Sequence, residues 1–372
     1  MVDLFHTYSY PTQEDAQMQE YRRICEAFFE NGDVSEILPF GEGHINSTFL
    51  VHIGGKKYIL QRINTSVFSS PDAVMQNIHT VTRHLAAKGC ETLEVIPTAD
   101  GELYHRQDDG CYRMYTFIEN TVAHQSAPDK ETLYHAGRAF GQFQNALADL
   151  DAGRLKETIA DFHNTPKRYE NFRDAVTLDR CGRLENCLEE VRFITARGDT
   201  YSGIVDALGD GSIPMRITHN DTKLNNILMD RDTGKARAIV DLDTVMPGSL
   251  LYDFGDAIRS GAAIGAEDEQ DLGKVQFDIE AFAAYTEGYL AAMRDSITEK
   301  EAELLPYSAY LMTMECGMRF LTDYLAGDTY FATKYPEHNL HRCRTQLKLA
   351  SEMEKQLPCM AEICKECIKK NS

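Results

Sequence analysis

One short stretch concentrates polar residues whose types and spacing could do chemistry. It reads Ile217-Thr-His219-Asn-Asp221-Thr-Lys223-Leu-Asn-Asn226-Ile-Leu-Met-Asp230; Gly234 closes a turn, and Ala238-Ile-Val-Asp241-Leu-Asp243 follows. The pattern is a hairpin with a polar loop ahead of each apolar strand. His219, Asp221, Lys223 and Asn226 share one loop, and Asp241 stands at the end of the next apolar strand. Phosphoryl transfer needs such a set. One carboxylate orients an attacking hydroxyl, an amide oxygen and a second carboxylate hold Mg²⁺ on the phosphates, and a cation offsets charge on the moving group. Any one of these residues alone would be weak evidence. All of them in order, between apolar strands, are strong evidence.

The elements that must position this loop change character along the chain. Gln13–Glu30 has helical apolar spacing. From Ile37 to Val51 the texture is strand, glycine turn, strand, and Gly54-Gly55 marks a tight hairpin before the strand Lys57-Tyr-Ile-Leu-Gln61-Arg62-Ile63. Pro71–Lys88 predicts a helix. Hairpin turns follow at Ala99-Asp100-Gly101 and Asp108-Asp109-Gly110, and Arg113–Ile118 is the last strand of the group. Beyond Asn120 the pattern is mainly helical, with helices expected over Asp129–Leu150, Asn171–Thr195, Asp278–Arg294, Thr298–Leu325 and Pro336–Lys370. Met215–Asp256 reads as one island of strand and loop among them. These elements predict an α+β chain of two lobes: residues 1–119 built on a small antiparallel sheet, and residues 120–372 mainly helical. A ligand site between two such lobes is the natural expectation. The 372 residues give the same count at roughly 150 residues per domain.

Composition bounds the partners. Lys and Arg number 38 against 58 Asp and Glu, a net charge of −20. That balance argues against a nucleic-acid backbone or an anionic membrane surface as the main partner. No apolar run is long enough for a membrane span, and Met1–Gln19 has no secretory pattern, so the cytoplasm is the expected compartment. The ten cysteines form no disulfide framework. Cys364 and Cys367, with Cys359 nearby, lack the second pair that a zinc site requires.

Asp253-Phe254-Gly255 spells a second candidate for the metal-binding carboxylate. It lies farther downstream of Asp221 than Asp241 does, and no apolar strand runs into it. Asp253 and Asp256 are therefore expected to be structural, accepting backbone N–H bonds, and His219 is expected to be a structural histidine.

The His-x-Asp-x-x-x-x-Asn spacing matches the kinase catalytic loop, and the chain resembles the aminoglycoside phosphotransferase and choline kinase superfamily, whose fold is protein-kinase-like. Thr218–Leu228 together with Val240–Arg259 resembles the N-acetylhexosamine 1-kinase branch, and the two-lobe pattern extends the resemblance over roughly residues 20 to 350. The resemblance implies a small-molecule kinase that uses ATP and Mg²⁺ and phosphorylates the anomeric hydroxyl of an N-acetylhexosamine. It implies Asp221 as the base or hydroxyl-orienting group, Lys223 near the terminal phosphate, and Asn226 and Asp241 on the metal. It further implies His44, Asn46, Arg319 and Tyr330 at the sugar, with Asp221 and Asp241 flanking its reacting end. Phe117, Ile118 and Glu119 would be the hinge that binds adenine, and the loop at Gly41 and Gly43 would bend over the phosphates.

The pattern also departs from that of kinases. The strand carrying Gln61 and Arg62 lacks the expected Lys, and the two alternate in direction, so only one can face the phosphates. The helix after Pro71 offers Gln76, Asn77 and His79 in place of a central Glu. Arg319 lies in an apolar helical stretch and needs a partner, for which Glu315 and Asp323, at i−4 and i+4, are candidates. Two rival functions stand beside the leading one: a kinase for an amino alcohol, homoserine or aminoglycoside, and a nucleotide-binding regulatory protein without turnover.

Overall fold

The computed structural model describes residues 13–30, 32–41, 45–107 and 110–371. The chain divides into two compact units. The first comprises residues 1–79 and 93–119, and the second residues 80–92 and 120–372. The break after Glu119 coincides with the change of texture in the sequence. The segment 80–92, however, packs with the helical unit, because apolar side chains of a helix follow their burial rather than their place in the chain.

The first unit holds helix α1 (Gln13–Glu26), strands β1 (Val34–Pro39), β2 (Ser47–Ile53) and β3 (Lys56–Ile63), the start of helix α2 (Pro71–Ala87), and strands β4 (Val95–Ile96), β5 (His105–Gln107) and β6 (Gly110–Thr116). The six strands form one antiparallel sheet ordered β1-β2-β3-β6-β4, with β5 also on β6. Gly54 and Gly55 both have positive φ, 56° and 76°, which a two-residue hairpin turn between β2 and β3 requires. Alternation gives the sheet two distinct faces. Val51, Ile53, Tyr58, Leu60, Tyr112 and Met114 bury one face against Tyr21, Ile24 and Cys25 of α1 and Phe28 in the turn after it. Gln61 and Arg113 lie on the other face, towards Met75 of α2. The turn at Ala99–Gly101 forms, closed by Thr98 N–H on Glu102 O, but β4 pairs with β6 and not with the segment that follows it.

The second unit holds β7 (Thr121–Val122), α3 (Lys130–Leu147), α4 (Thr165–Leu178), α5 (Leu188–Thr195), α6 (Gly203–Gly209), β8 (Arg216–Thr218), β9 (Ile227–Asp230), β10 (Ala236–Ile239), β11 (Met246–Gly248), α7 (Leu250–Gly261), β12 (Ala263–Ile264), β13 (Gln276–Phe277), α8 (Ile279–Met293), α9 (Glu299–Ala326) and α10 (His338–Asn371). Two sequence expectations fail here. The single helix expected over Asn171–Thr195 is two, because Asp179 caps α4 in the left-handed conformation (φ 34°) and its carboxylate then holds the N–H groups of Arg183 and Leu184. The end of the expected strand–loop island is the helix α7, N-capped by Ser249, which accepts from Leu251 N–H. Every residue from Leu250 to Arg259 is buried, so α7 has no polar face from which a helical period could be read.

Helix α9 opens with a capping box in which Thr298 and Glu301 exchange bonds, and the buried Glu301 carboxylate also takes Arg216 at 2.6 Å, tying β8 to α9. Helices α3 and α8 cross where side chains vanish. A Cβ at Gly288 would collide with the Tyr134 carbonyl, and one at Gly137 with that of Tyr285. Gly288→Ala should therefore lower stability by about 1–3 kcal/mol through overpacking. A thermal melt superimposable on that of the parent would show that the crossing can open without loss.

Candidate active site

The strands β8 and β11 pair antiparallel, Thr218 opposite Met246, and the loop His219–Asn226 leaves the end of β8. Side chains of α7 hold this loop. Asp253 is fully buried. Its Oδ1 accepts Asn220 N–H at 2.7 Å, and its Oδ2 accepts His219 N–H at 2.9 Å and the Gln144 amide of α3 at 2.6 Å. Its carbonyl takes the Thr222 hydroxyl. Burial pushes the Asp253 carboxyl above the usual range, against the pull of His219 and these donors. One turn on, Asp256 accepts Thr222 N–H and forms a two-point pair with Arg259 at 2.9 and 2.8 Å. Burial opposes its ionisation, but Arg259 and Lys223 outweigh that and hold it below the ordinary value. Asn220 takes the left-handed conformation (φ 65°) that lets the loop turn between these anchors.

His219 ties the loop to the following strand. Its Nε2 donates to Val240 O at 2.9 Å, Asp221 N–H donates to its Nδ1, and its ring packs edge-on against Phe140 and Phe143. Thr244 donates to His219 O, and Asn220 donates to Thr244 O. Val240 N–H donates to Asn226 O. These bonds bring Asn226 beside the strand end that carries Asp241.

The chemically competent groups lie within that frame. Asp221 is half-buried. Its Oδ1 pairs with Lys223 Nζ at 2.9 Å, and Asn226 Nδ2 donates to its Oδ2 at 3.0 Å and to its carbonyl at 2.8 Å. Asp221, then burial in opposition, then Asp256 set the Lys223 ammonium above its usual value, so the cation persists well beyond neutral pH. With its nitrogen spent on Asp221, Asn226 turns its carbonyl oxygen to the other side. Asp241 is exposed and in the left-handed conformation (φ 59°). A carboxylate and an amide oxygen suit Mg²⁺, which keeps several waters and takes few protein ligands. Among the described residues no cluster of three or more His, Cys, Asp or Glu could hold a metal. Cys364 and Cys367 are buried and in no disulfide, and burial lifts the Cys364 thiol to about 12.

In the first unit, the choice between Gln61 and Arg62 takes an unforeseen form. Gln61 donates to Thr48 Oγ1, and its carbonyl oxygen accepts both Nε and Nη2 of Arg113, at 3.0 and 2.9 Å. Arg62 points to the other side and is exposed. The cation on the inner face is thus Arg113, delivered by β6 directly opposite Gln61, only 1% exposed and stacked over Tyr115. Alternation along 111–116 carried that signal, but the register of β3 on β6 was needed to read it. Asn46 uses its side-chain oxygen to accept Asn64 N–H. Gly41 has φ 77°. Gly43 and His44 lie outside the described residues. Phe117 N–H donates to Lys57 O, Ile118 is buried, and Glu119 pairs with Lys57 at 3.1 Å.

Arg319 corrects another expectation. Glu315 is occupied by His163 at 2.8 Å and Thr165 at 2.5 Å, and Asp323 by the N–H groups of Thr329, Tyr330 and Phe331. Neither pairs with Arg319, whose guanidinium lies over the rings of Phe162, Tyr330 and Phe331 at 5.2, 5.9 and 5.6 Å. Aromatic faces from two segments outside α9, rather than a paired carboxylate on its own helix, surround it.

Residues 36–294 match the phosphotransferase enzyme family, APH. The chain belongs to that family. Its structure is similar to that of a microcompartment-associated aminopropanol kinase (16% identity, 92% of this chain and 98% of that chain, TM-score 0.64). It is also similar to a spectinomycin phosphotransferase in complex with ADP and spectinomycin (14%, 87% and 92%, 0.57) and to choline kinase from Cryptosporidium parvum Iowa II (12%, 96% and 98%, 0.57). These likenesses share the antiparallel-sheet first unit and helical second unit. The protein is thus a phosphotransferase of that family. Among the described residues no helix is long and apolar enough to cross a membrane.

Two outcomes follow for the anchors. Asp253→Ala strips the acceptor from buried donors on two elements and should cost about 3–5 kcal/mol of stability; chemical denaturation reads it, and an unchanged midpoint would remove Asp253 as the anchor. Asp256 has a folded pKa below its unfolded value, so its contribution is present at neutral pH and lost as pH falls through the folded value. Asp256→Asn should therefore be less stable than the parent at pH 7, with the gap narrowing below the ordinary carboxylate value of 3.8. A gap independent of pH would mean that shape rather than charge matters there.

Proposed function

We propose that the protein transfers the terminal phosphoryl group of ATP to the anomeric hydroxyl of an N-acetylhexosamine, giving the sugar 1-phosphate. The observation that carries the phosphotransfer reading is the Asp221 carboxylate. It is aimed from a loop anchored at Asp253 and Asp256, with Lys223 on one oxygen and Asn226 on the other. The choice of sugar rests on the likeness of Thr218–Leu228 and Val240–Arg259 to the N-acetylhexosamine 1-kinase branch.

In this reading Asp221 accepts a hydrogen bond from the C1 hydroxyl and orients its oxygen in line with the terminal phosphorus. The O–H proton passes to Asp221 as the new O–P bond forms and the bond to the ADP oxygen breaks. Lys223, held protonated by Asp221 and Asp256, lies against charge on the transferring group. Asn226 and Asp241 would hold Mg²⁺, which neutralises phosphate charge when bound. In the first unit, Gln61 and Arg113 take the place of the Lys and Glu of other kinases, and the 117–119 segment would receive adenine.

An amino alcohol or aminoglycoside acceptor is cationic and calls for carboxylates or an aromatic cage without a resident cation. Arg319 already occupies the aromatic cluster at Phe162, Tyr330 and Phe331, which favours a sugar.

The test is an acceptor screen with ATP and Mg²⁺. N-acetylglucosamine or N-acetylgalactosamine should yield an acid-labile anomeric phosphate. Transfer confined to amino alcohols or aminoglycosides would remove the sugar assignment, and nucleotide binding with no transfer would favour a regulatory protein. Asp221→Asn should lower turnover at least 10²–10⁴-fold with ATP affinity retained, and Asp241→Ala should abolish Mg²⁺-dependent turnover. Full activity in either variant would displace that residue from its role.

A further inference from the structure

Two cations meet around Phe162. Arg168 of α4 donates Nε and Nη2 to the Phe162 carbonyl at 3.2 and 2.9 Å, while Arg319 of α9 covers the Phe162 ring. One residue thus brings two guanidinium groups together. Arg319 makes no hydrogen bond or ion pair among the described residues, and Arg168 makes none through Nη1. The carboxylates that face the pair are Glu315 and Asp161. Glu315 is spent on His163 and Thr165, and Asp161 accepts the Asn164 amide. Burial and then the neighbouring Arg319 depress the Arg168 guanidinium, and the opposing pull of Glu315 and Asp161 does not offset them.

This cluster borders the catalytic loop. Phe162 and His163 line a cavity of about 230 Å³ together with Asn220 of that loop and Tyr252 of α7. The Cys316 thiol, one turn before Arg319, lies within electrostatic reach of both Arg259 and Arg319, and Arg259 is the partner of Asp256. Tyr330, 58% exposed, forms the open side.

We propose that Arg168 and Arg319 form an anion-binding subsite for the acceptor, so that the preferred sugar is an N-acetylhexosamine bearing an acidic substituent, a carboxylate or a phosphate, rather than the neutral parent. The inference rests on the sugar reading above. The Arg319 guanidinium fork matches either oxyanion in two-point geometry, and Arg168 adds its Nη1 donor beside it. Arg168 is thereby a specificity-determining residue.

The full-length protein is assayed with ATP and Mg²⁺ on N-acetylglucosamine, N-acetylglucosamine 6-phosphate and N-acetylglucosaminuronate. At least one acidic sugar should exceed the parent in kcat/KM by about tenfold, with the advantage shrinking as salt rises. The phosphate and uronate arms distinguish the two anions. Arg168→Gln and Arg319→Gln should each raise KM for the acidic sugar by about 10–100-fold while leaving KM for ATP unchanged. Arg319→Lys, which keeps the charge and loses the fork, should fall between. A parent sugar that is the best acceptor, or variants that weaken neutral and acidic sugars equally, would overturn the subsite and leave the kinase reading standing. Absence of transfer to all three sugars would remove the sugar reading and the subsite together.

Discussion

A single buried carboxylate governs the arrangement around the 219–226 loop. Asp253 sits in the first turn of α7 and forms no ion pair among the described residues; its two oxygens are met by backbone N–H groups of His219 and Asn220 and the side chain of Gln144. A buried charged group is tolerated only where its lone pairs are met, and here the donors that meet them belong to the loop that must be rigid. The same bonds therefore solvate the carboxylate and set the loop. Remove the carboxylate and the buried N–H groups of consecutive residues lose their acceptors. The direction of Asp221 depends on this bond set, because Asp221 follows those residues immediately.

From that anchor, charge is passed along the second unit in pairs. Asp256 holds Arg259 and steadies Lys223, and Lys223 holds Asp221. The chain carries a net charge of −20, yet the cations that matter here, Lys223, Arg259, Arg168 and Arg319, are gathered in one neighbourhood. Net charge describes what the surface avoids at long range. What a site can bind depends on groups within a few ångströms, where screening is weak and geometry decides. An acidic protein can thus be built to receive polyanionic nucleotides.

The legibility of these groups in the sequence followed their spacing. Asp221, Lys223 and Asn226 lie on one loop, so their order along the chain is nearly their order in space. The antiparallel sheet and the helical remainder were readable from period-two and helical patterns, and Gly54-Gly55 marked its hairpin. Helix α7 was hidden because all its faces are buried, and the break at Asp179 because it depends on one residue adopting a left-handed conformation. Arg113 was hidden for a different reason. Its strand was clear, but the residue it faces is set by the pairing of β3 on β6, which no local pattern reports. The partners proposed for Arg319 by i±4 spacing were wrong for the same cause: Glu315 and Asp323 are claimed by residues remote in sequence or by a loop turning back.

Composition, local periodicity and one contiguous motif were enough for the sequence alone to determine an α+β chain with a change of character at residue 119 and to single out the 219–226 loop as the candidate site. All of these depend on interactions between residues close along the chain. Tertiary structure alone decided that Gln61 faces Arg113, that Asp253 supports His219 and Asn220, and that Arg168 and Arg319 meet at Phe162. Each of these brings together side chains from separate elements. The energy of such contacts belongs to the packed fold, in which burial makes an unmatched charge or donor costly enough to choose its partner.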